Sequence, residues 1–242
     1  MDSGTVGNHP LTSSMEEERL PTDLNSGGVA GVILAAGESS RMGRDKALLL
    51  FDDETFLQHL INVLRDEVSP LVVVLGHHAS EIERQIVSPS KSGDPIAPAA
   101  GVIVLRNPDY RLGQLSSLHV ALRYLILRPA SGILISLVDH PAISKKIVRL
   151  LLARFKRTQS PILIPTYRGR RGHPVLFARS LFQELMDAPL DEGARFVIHR
   201  HAAMMEEVEM DEEAILIDVD HPEDYRVLLA KRRPKSAEDD ST

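Results

Sequence analysis

The feature that most restricts the fold is a series of short, uninterrupted apolar runs separated by helical patterns. Residues 29–35 and 71–75 form two such runs that end beside a glycine, and 133–138 forms a third that ends at an aspartate. Parallel strands buried on both faces have this pattern, because neither face needs polar side chains. Between the first two runs, residues 55–66 place apolar side chains at helical spacing. The chain is therefore predicted to be an α/β protein with a mostly parallel sheet covered by helices on both sides.

The rest of the chain continues the alternation of strands and helices. Further strands are predicted at 102–105, 161–165 and 208–219, the last with a turn near Asp211, and further helices at 145–157, 196–201 and 222–233. Ser116 or Ser117 is expected to cap the helix that follows the strand at 102–105, and Ser144 is expected to cap the helix at 145–157. Pro222 fits the first position of the closing helix.

Length and composition favour a single domain that does not bind nucleic acid or span a membrane. A chain of 242 residues with a net charge of -6 has no overall cationic field for a phosphate backbone. No apolar run approaches the roughly 20 residues that a spanning helix needs. The absence of cysteine excludes disulfides and thiolate metal sites, and fits a reducing cytoplasm. We expect a disordered leader over 1–28, one domain over 29–230 and a charged tail over 231–242.

The segment from Gly37 to Lys46 joins the first buried strand to later helical structure and is rich in glycine, serine and cations. Glycine lets the backbone approach a ligand closely, and Arg41, Arg44 and Lys46 could neutralise a triphosphate. The glycine spacing excludes the GxxxxGK[ST] phosphate loop, and Ser39 replaces the second glycine of GxGxxG. By composition alone, a solvated Gly/Ser turn is the more typical interpretation of this segment. A phosphate-binding site is the alternative, and both stay open at this point.

Two acidic positions are candidate magnesium ligands. Asp139 follows a buried parallel strand, where open α/β sheets bind ligands, and carboxylate oxygens suit Mg²⁺. The alternative for Asp139 is a cap or turn before Pro141. Strand alternation would point Asp218 and Asp220 to opposite faces, so only one of them is expected to face a site. The alternative for Asp220 is capping of the closing helix.

The histidines offer a weaker metal signal. His77 and His78 are adjacent, and His199 and His201 lie two apart, so neither pair has the i, i+4 spacing of a helical chelate. We expect these four side chains to be solvated or hydrogen-bonded. His173 differs because glycine, arginine and proline surround it. A shaped loop near the sheet edge and a surface hairpin are equally compatible with that composition.

Five motifs follow one another along residues 29–230. They are Leu34-Ala-Ala-Gly37 with Ser39, Arg41, Met42, Gly43 and Lys46; Asn107-Pro-x-Tyr110 with Gly113-x-x-Ser116-Ser117-Leu118; Asp139-His-Pro141; Gly169-Arg-Arg-Gly-His-Pro-Val-Leu-Phe177; and Asp191-x-Gly193-Ala194-Arg195. A sixth motif, Asp218-Val-Asp220-x-Pro222-Glu223-Asp224, follows these five. In this order they resemble the LAAGxSxRMGxxK signature and the later motifs of the molybdenum cofactor cytidylyltransferases and related MobA-like transferases.

The resemblance implies a Rossmann-like three-layer domain of the nucleotide-diphospho-sugar transferase type. Its members use Mg²⁺ to transfer a nucleoside monophosphate to an acceptor phosphate with release of pyrophosphate. By position, the resemblance assigns Leu34, Ala35, Ala36 and Gly37 to the base and ribose, Arg41 and Lys46 to the phosphates, Gly113, Ser116 and Ser117 to the rest of the nucleoside pocket, Asp139 with Asp220 to magnesium, and His173 and Arg195 to the border of the acceptor. Arg41, Lys46 and Asp139 are expected to carry catalysis.

The substrates implied by the resemblance are CTP and molybdopterin, with a molybdoenzyme as the partner that receives the product. Related guanylyltransferases resemble LAGG at this position, and the methyl group of Ala36 would crowd a purine, so CTP is expected over GTP. Leu190 and His221 stand where the family usually has glycine and threonine. The same reaction on another phosphorylated acceptor, such as a sugar phosphate, therefore stays open.

Two alternatives come from other functional classes. One is a non-catalytic nucleotide-binding module that delivers a cofactor, and the other is a nicotinamide-dependent oxidoreductase. The absence of GxGxxG argues against the oxidoreductase. The presence of Lys46 and of both acidic positions argues against an inactive module.

Overall fold

A computed structural model of the chain describes Met1 and residues 27–87 and 101–232. The predicted leader (1–28) and tail (231–242) lie almost entirely outside the described residues. Within the described ranges, no helix combines the length and apolar character needed to cross a membrane.

The chain folds into a sheet flanked by helices, with a separate small hairpin. The strands are β1 (Val29–Ala35), β2 (Leu50–Phe51), β3 (Glu54–Thr55), β4 (Leu71–Leu75), β5 (Val102–Arg106), β6 (Gly132–Leu137), β7 (Ile162–Tyr167), β8 (Arg170–Arg171), β9 (Val175–Ala178) and β10 (Met205–Glu209). The helices are α1 (Phe56–Leu64), α2 (Ala79–Val87), α3 (Gln114–Leu125), α4 (Lys145–Thr158), α5 (Phe182–Asp187), α6 (Arg195–Arg200) and α7 (Pro222–Arg232).

The sheet is mostly parallel, as predicted. Its order is β10-β7-β9-β6-β1-β4-β5, with β8 added to β7, while β2 and β3 form the hairpin. The central strand β1 runs parallel to both β4 and β6. Only β8 and β9, among the strands of the described sheet, pair antiparallel to their neighbours. The parallel strands therefore end along one edge, where ligands bind in sheets of this kind.

Both faces of the sheet are buried, which explains the continuous apolar runs. Ile33 and Ala35 of β1 pack into one cluster with side chains of α1 and α4, whereas Val32 and Leu34 pack into a second cluster with α3 and α5. A third, smaller cluster joins the β2–β3 hairpin to α7 and includes Met42. Because Met42 belongs to the glycine-rich segment, this cluster anchors that segment to the domain.

The helix starts show which local signals were sufficient. Thr55 and Gln58 form a reciprocal capping box at α1, and Ser144 caps α4 by accepting a hydrogen bond from the Ile147 amide, as predicted. The expected capping of α3 by Ser116 or Ser117 is wrong, because α3 begins earlier, directly after Gly113. Gly113 has φ of 101°, a conformation that favours glycine and lets the chain turn into the helix without a side-chain cap.

The strand predicted over 208–219 is also wrong, because β10 ends at Glu209. The chain then forms a 3₁₀ turn at Glu213–Leu216, and the Ile215 carbonyl accepts a hydrogen bond from the His173 amide. The chain after β10 therefore hydrogen-bonds to the segment before β9 and does not continue as a strand. Asp218 and Asp220 lie in irregular backbone, so the strand-alternation argument does not apply to them.

Gly76, at the end of β4, provides a test of how tightly the strand ends pack. A Cβ at this position would lie 2.6 Å from the Ala36 carbonyl oxygen and 2.7 Å from Tyr110 Cβ. We expect Gly76→Ala to lower the free energy of unfolding by about 1–3 kcal/mol through overpacking, measured by urea denaturation. Gly28→Ala is the matched control, since no atom lies within 4 Å of its added methyl. Equal stability of the two variants would contradict this packing argument.

Candidate active site

The glycine-rich segment folds back on itself at the carboxyl end of β1. Ser39 and Gly43 adopt left-handed backbone conformations, with φ of 52° and 68°. The Lys46 amide donates a hydrogen bond to Ser39 Oγ at 3.0 Å, which closes the loop. Lys46 is thereby returned to the sheet edge next to the strand that leads into Asp139.

Three predicted site residues meet around the Lys46 ammonium group. Lys46 Nζ lies 2.5 Å from Asp220 Oδ1 and 3.4 Å from Asp139 Oδ2. Arg41 Nη1 lies 2.9 Å from Asp220 Oδ2. The hydrogen bond from Lys46, with the charges of Lys46 and Arg41, lowers the pKa of Asp220 below its ordinary value. Asp220 therefore stays ionised at neutral pH.

The acid pair has the chemistry of a divalent-cation site. Asp139 Oδ1 is buried and has no hydrogen-bond partner, so it is free to coordinate an ion. Asp139 Oδ2 and Asp220 Oδ1 both contact the Lys46 ammonium group, so a cation already lies between the two carboxylates. Carboxylate oxygens are the ligands that Mg²⁺ and Mn²⁺ prefer. Asp218 is exposed, so Asp220 is the member of its pair that faces the cluster.

A cavity of about 270 Å³ opens beside this cluster. Its lining includes the predicted residues Leu34, Ala35, Ala36, Gly37, Lys46, Gly113, Ser117 and Asp139. Ser116 is directed elsewhere: its hydroxyl donates to the carbonyl oxygens of Asp109 and Gly113 and accepts a hydrogen bond from Asn107 Nδ2. The geometry therefore gives Ser116 a role in supporting the loop before α3. Arg41 is not among the residues that line this cavity; its side chain is 64% exposed and reaches the cluster through Asp220.

A second cavity of about 460 Å³ shares Leu34, Gly113 and Leu137 with the first. His173 and Arg195 both line it, so the two residues predicted at the acceptor border do lie together. Most of its other lining side chains are apolar: Leu115, Leu118, Ile135, Val175, Phe177, Leu190 and Ile198. The two cavities thus form one continuous surface, polar near Lys46 and apolar beyond Leu137.

Two histidines separate the acid pair from the second cavity. The rings of His140 and His173 are 4.8 Å apart, and the Nδ1 atoms of both are buried without a hydrogen-bond partner. Burial lowers the pKa of His140, and burial followed by the proximity of His140 lowers the pKa of His173 to about 4. Both imidazoles are therefore neutral near pH 7. His140 was not singled out from the sequence, where it reads only as part of the Asp139-His-Pro motif.

A second histidine group combines His77 and His78 with Asp45, a partner that the sequence did not reveal. His78 Nδ1 lies 2.7 Å and His77 Nδ1 lies 3.4 Å from the Asp45 carboxylate. The hydrogen bond to Asp45 raises the pKa of His78. The two histidines are hydrogen-bonded, as expected, but the helical spacing rule could not detect their shared partner. They follow the end of β4, whose neighbour β1 leads into the loop that carries Asp45.

Comparison with known proteins places this chain among the nucleotidyltransferases. Residues 31–207 match the MobA-like NTP transferase domain, and the chain belongs to this family. The molybdenum cofactor cytidylyltransferase of Escherichia coli K12 is 25% identical over 205 residues, which cover 84% of this chain and 95% of that protein. A molybdenum cofactor guanylyltransferase of Rhizobium leguminosarum bv. trifolii is 32% identical over 148 residues, or 61% of each chain.

Solved structures agree with the family assignment. The crystal structure of Rv0371c from Mycobacterium tuberculosis H37Rv superposes with a TM-score of 0.67 at 29% identity, covering 84% of this chain and 98% of that one. A complex of Rv0371c with manganese gives a TM-score of 0.62 at 28% identity over the same shares. The Rossmann-like, nucleotide-diphospho-sugar transferase type of fold and the enzyme class inferred from the motifs are thereby confirmed.

Burial of His173 should make stability depend on pH. The unfolded histidine binds a proton near pH 6.5, whereas the folded one binds it only near pH 4. The stability contributed by the neutral buried ring is therefore present above pH 6.5 and is lost as the pH falls towards 4. We expect His173→Gln to flatten the pH dependence of the unfolding free energy in this range by up to about 1.4 kcal/mol per pH unit.

Urea denaturation from pH 7 to pH 4.5 measures this effect. His199→Gln is the control, because His199 is exposed and should leave the slope as in the wild type. If the unfolding free energy had the same pH dependence in all three proteins, folding would not lower the proton affinity of His173.

Proposed function

We propose that the chain transfers CMP from CTP to the terminal phosphate of molybdopterin in a divalent-metal-dependent reaction that releases pyrophosphate. The observation that carries the proposal is the cluster of Lys46, Asp139 and Asp220 beside two adjoining cavities. One cavity contains the loop predicted to hold a nucleotide, and the other contains the residues predicted at the acceptor. The names of the two curated relatives, a cytidylyltransferase and a guanylyltransferase of the molybdenum cofactor, support this assignment.

The chemistry needs few protein groups. A phosphate acceptor is already a nucleophile, so the protein must bring two anions together, align them and stabilise charge on the α-phosphate and the leaving pyrophosphate. Lys46 supplies positive charge in the lining of the first cavity, and Arg41 adds positive charge beside Asp220. Asp139 and Asp220 would hold Mg²⁺, which supplies Lewis-acid polarisation of phosphate oxygens. A manganese complex of Rv0371c supports a divalent-cation requirement.

The lining of the second cavity favours a flat ring system as the acceptor. A sugar phosphate carries several hydroxyl groups, which would need hydrogen-bond partners on burial. Most side chains here are apolar, and the polar ones are Gln114, His173, Asp191, Glu192 and Arg195. A pterin can place its ring against apolar side chains and its polar edge against a few such groups. Molybdopterin is therefore favoured over a sugar phosphate as the acceptor. The recipient of the product would then be a molybdoenzyme.

The alternatives from other classes receive less support. Family membership favours neither a nicotinamide-dependent oxidoreductase nor another redox enzyme. A non-catalytic delivery module would not need the cation–carboxylate cluster, and the cluster is intact. We therefore retain the nucleotidyltransferase as the proposed function. Delivery of the cofactor to a partner would then follow from release of the product.

Pyrophosphate release with CTP or GTP, and with molybdopterin or a sugar phosphate, tests the proposal. We expect the highest kcat/KM with CTP, molybdopterin and Mg²⁺ or Mn²⁺. Lys46→Ala should lower kcat about 10²–10³-fold, because a positioned charge at the developing anion is lost. The control is Lys156→Ala, which removes an exposed cation on α4.

The same assay can overturn the proposal in two ways. Turnover only with an acceptor other than molybdopterin would keep the reaction and reject the acceptor. Wild-type rates in Lys46→Ala would remove Lys46 from the catalytic machinery.

The base preference has its own test at Ala36. This residue is buried and lines the first cavity, and the expectation is that its methyl group limits the space for a purine. We expect Ala36→Gly to raise the ratio of kcat/KM for GTP to that for CTP by roughly 10-fold, the usual effect of one methyl group in a pocket. Steady-state kinetics with each nucleotide measures the ratio. An unchanged ratio would assign base selection to other residues.

A further inference from the structure

Asp45, His77 and His78 form a compact group of ligand atoms outside the cluster of Lys46, Asp139 and Asp220. The two imidazole nitrogens and a carboxylate oxygen all lie within 4.8 Å of one another. The Asp45 side chain is only 8% exposed, so its carboxylate is held in place by its surroundings. The left-handed backbone at His78, with φ of 47°, and the contact of the two rings at 3.7 Å direct both Nδ1 atoms to the same carboxylate.

We propose that Asp45, His77 and His78 bind a transition-metal ion such as Zn²⁺ or Co²⁺. Two imidazoles and one carboxylate are a donor set for borderline metals, whereas Mg²⁺ prefers oxygen ligands alone. The site is therefore chemically distinct from the acid pair of Asp139 and Asp220. It is independent of which nucleotide or acceptor the enzyme uses.

The distances are compatible with coordination after a small adjustment. Ligands at about 2.0–2.1 Å from a tetrahedral ion are about 3.3 Å apart. The separation of 3.4 Å between His77 Nδ1 and Asp45 already matches this value. That distance is to Asp45 Oδ1, whereas His78 Nδ1 lies 2.7 Å from the other oxygen, Oδ2. For Asp45 to bind an ion through both oxygens, the separation from His78 must widen by roughly half an ångström. The side chain of His78 is 54% exposed and borders an open surface cavity, so it has room to move and an ion has a route of entry.

A metal at this position would fasten the glycine-rich segment from Gly37 to Lys46. Asp45 directly precedes Lys46 and lines the first cavity, while His77 and His78 connect β4 to α2. Coordination would join these two segments more strongly than the hydrogen bonds do. The ion would thus act as a structural clamp that holds Lys46 at the sheet edge.

Titration with Co²⁺ and Zn²⁺ in the full chain tests the site. Visible absorption of Co²⁺ reports tetrahedral coordination, and isothermal titration gives stoichiometry and affinity. The background is Asp139→Asn/Asp220→Asn, which removes the acid pair as a competing site. In that background we expect one tetrahedral Co²⁺ per chain, at least 10-fold weaker binding on adding His78→Asn, and no change on adding His199→Asn, the exposed control.

A measurement on the unmodified protein guards against loss of folding in the variants. Addition of Zn²⁺ to ¹⁵N-labelled wild type should shift the imidazole Nδ1 resonances of His77 and His78 and leave those of His199 in place. Shifts confined to other histidines, or Co²⁺ binding that survives His78→Asn, would overturn the proposal. Absence of tetrahedral Co²⁺ in the background variant, together with unshifted His77 and His78 resonances, would show a hydrogen-bonded cluster instead of a metal site.

Discussion

The ion pairs of Lys46 are the interaction on which the arrangement of the site depends. Its ammonium group, on a side chain only 11% exposed, contacts carboxylates that lie 93 and 174 residues away along the chain. A cation this buried is costly unless it is paired, so the pairing favours one arrangement of three segments. The loop closed at Ser39 delivers Lys46, β6 delivers Asp139, and the segment before α7 delivers Asp220. The cluster around Met42 adds apolar packing to the same junction.

The central sheet was predictable because burial on both faces leaves a local record in the sequence. The runs at 29–35, 71–75 and 133–138 correspond to β1, β4 and β6 within a residue. The direction of β9 and the end of β10 were not predictable in this way. Both are decided by partners far away in sequence, β9 by β6 and β7, and the end of β10 by the pairing of Ile215 with His173. Local periodicity carries no information about such partners.

Much of the candidate site followed from motifs, while the orientation of individual side chains did not. Ser116 and Ser117 are neighbours in one motif, yet only Ser117 lines the first cavity, because successive helical residues point about 100° apart. The choice between Asp218 and Asp220 likewise needed the irregular backbone that follows β10. The Asp45–His77–His78 group could have been suspected from its position, since residues that follow neighbouring parallel strands meet at one sheet edge. The i, i+4 spacing rule did not detect this group, because it applies to two histidines on one helix.

The distribution of charge along the sheet edge has a consequence for an acceptor. Beside the first cavity, Asp139 and Asp220 face two cations, so charges there are balanced before any ligand arrives. On the other side, burial keeps His140 and His173 neutral. An apolar ring that packs against the neutral imidazole of His173 desolvates no charge there, whereas Asp191, Glu192 and Arg195 are the charged side chains that line the second cavity. In the proposed reaction, Lys46 lines the first cavity and Arg195 lines the second, so each cavity offers a cation to one of the two phosphates. Two phosphates attracted by these cations would be brought close together across the lining that the cavities share at Leu34, Gly113, Gln114 and Leu137, as a transfer between bound phosphates requires.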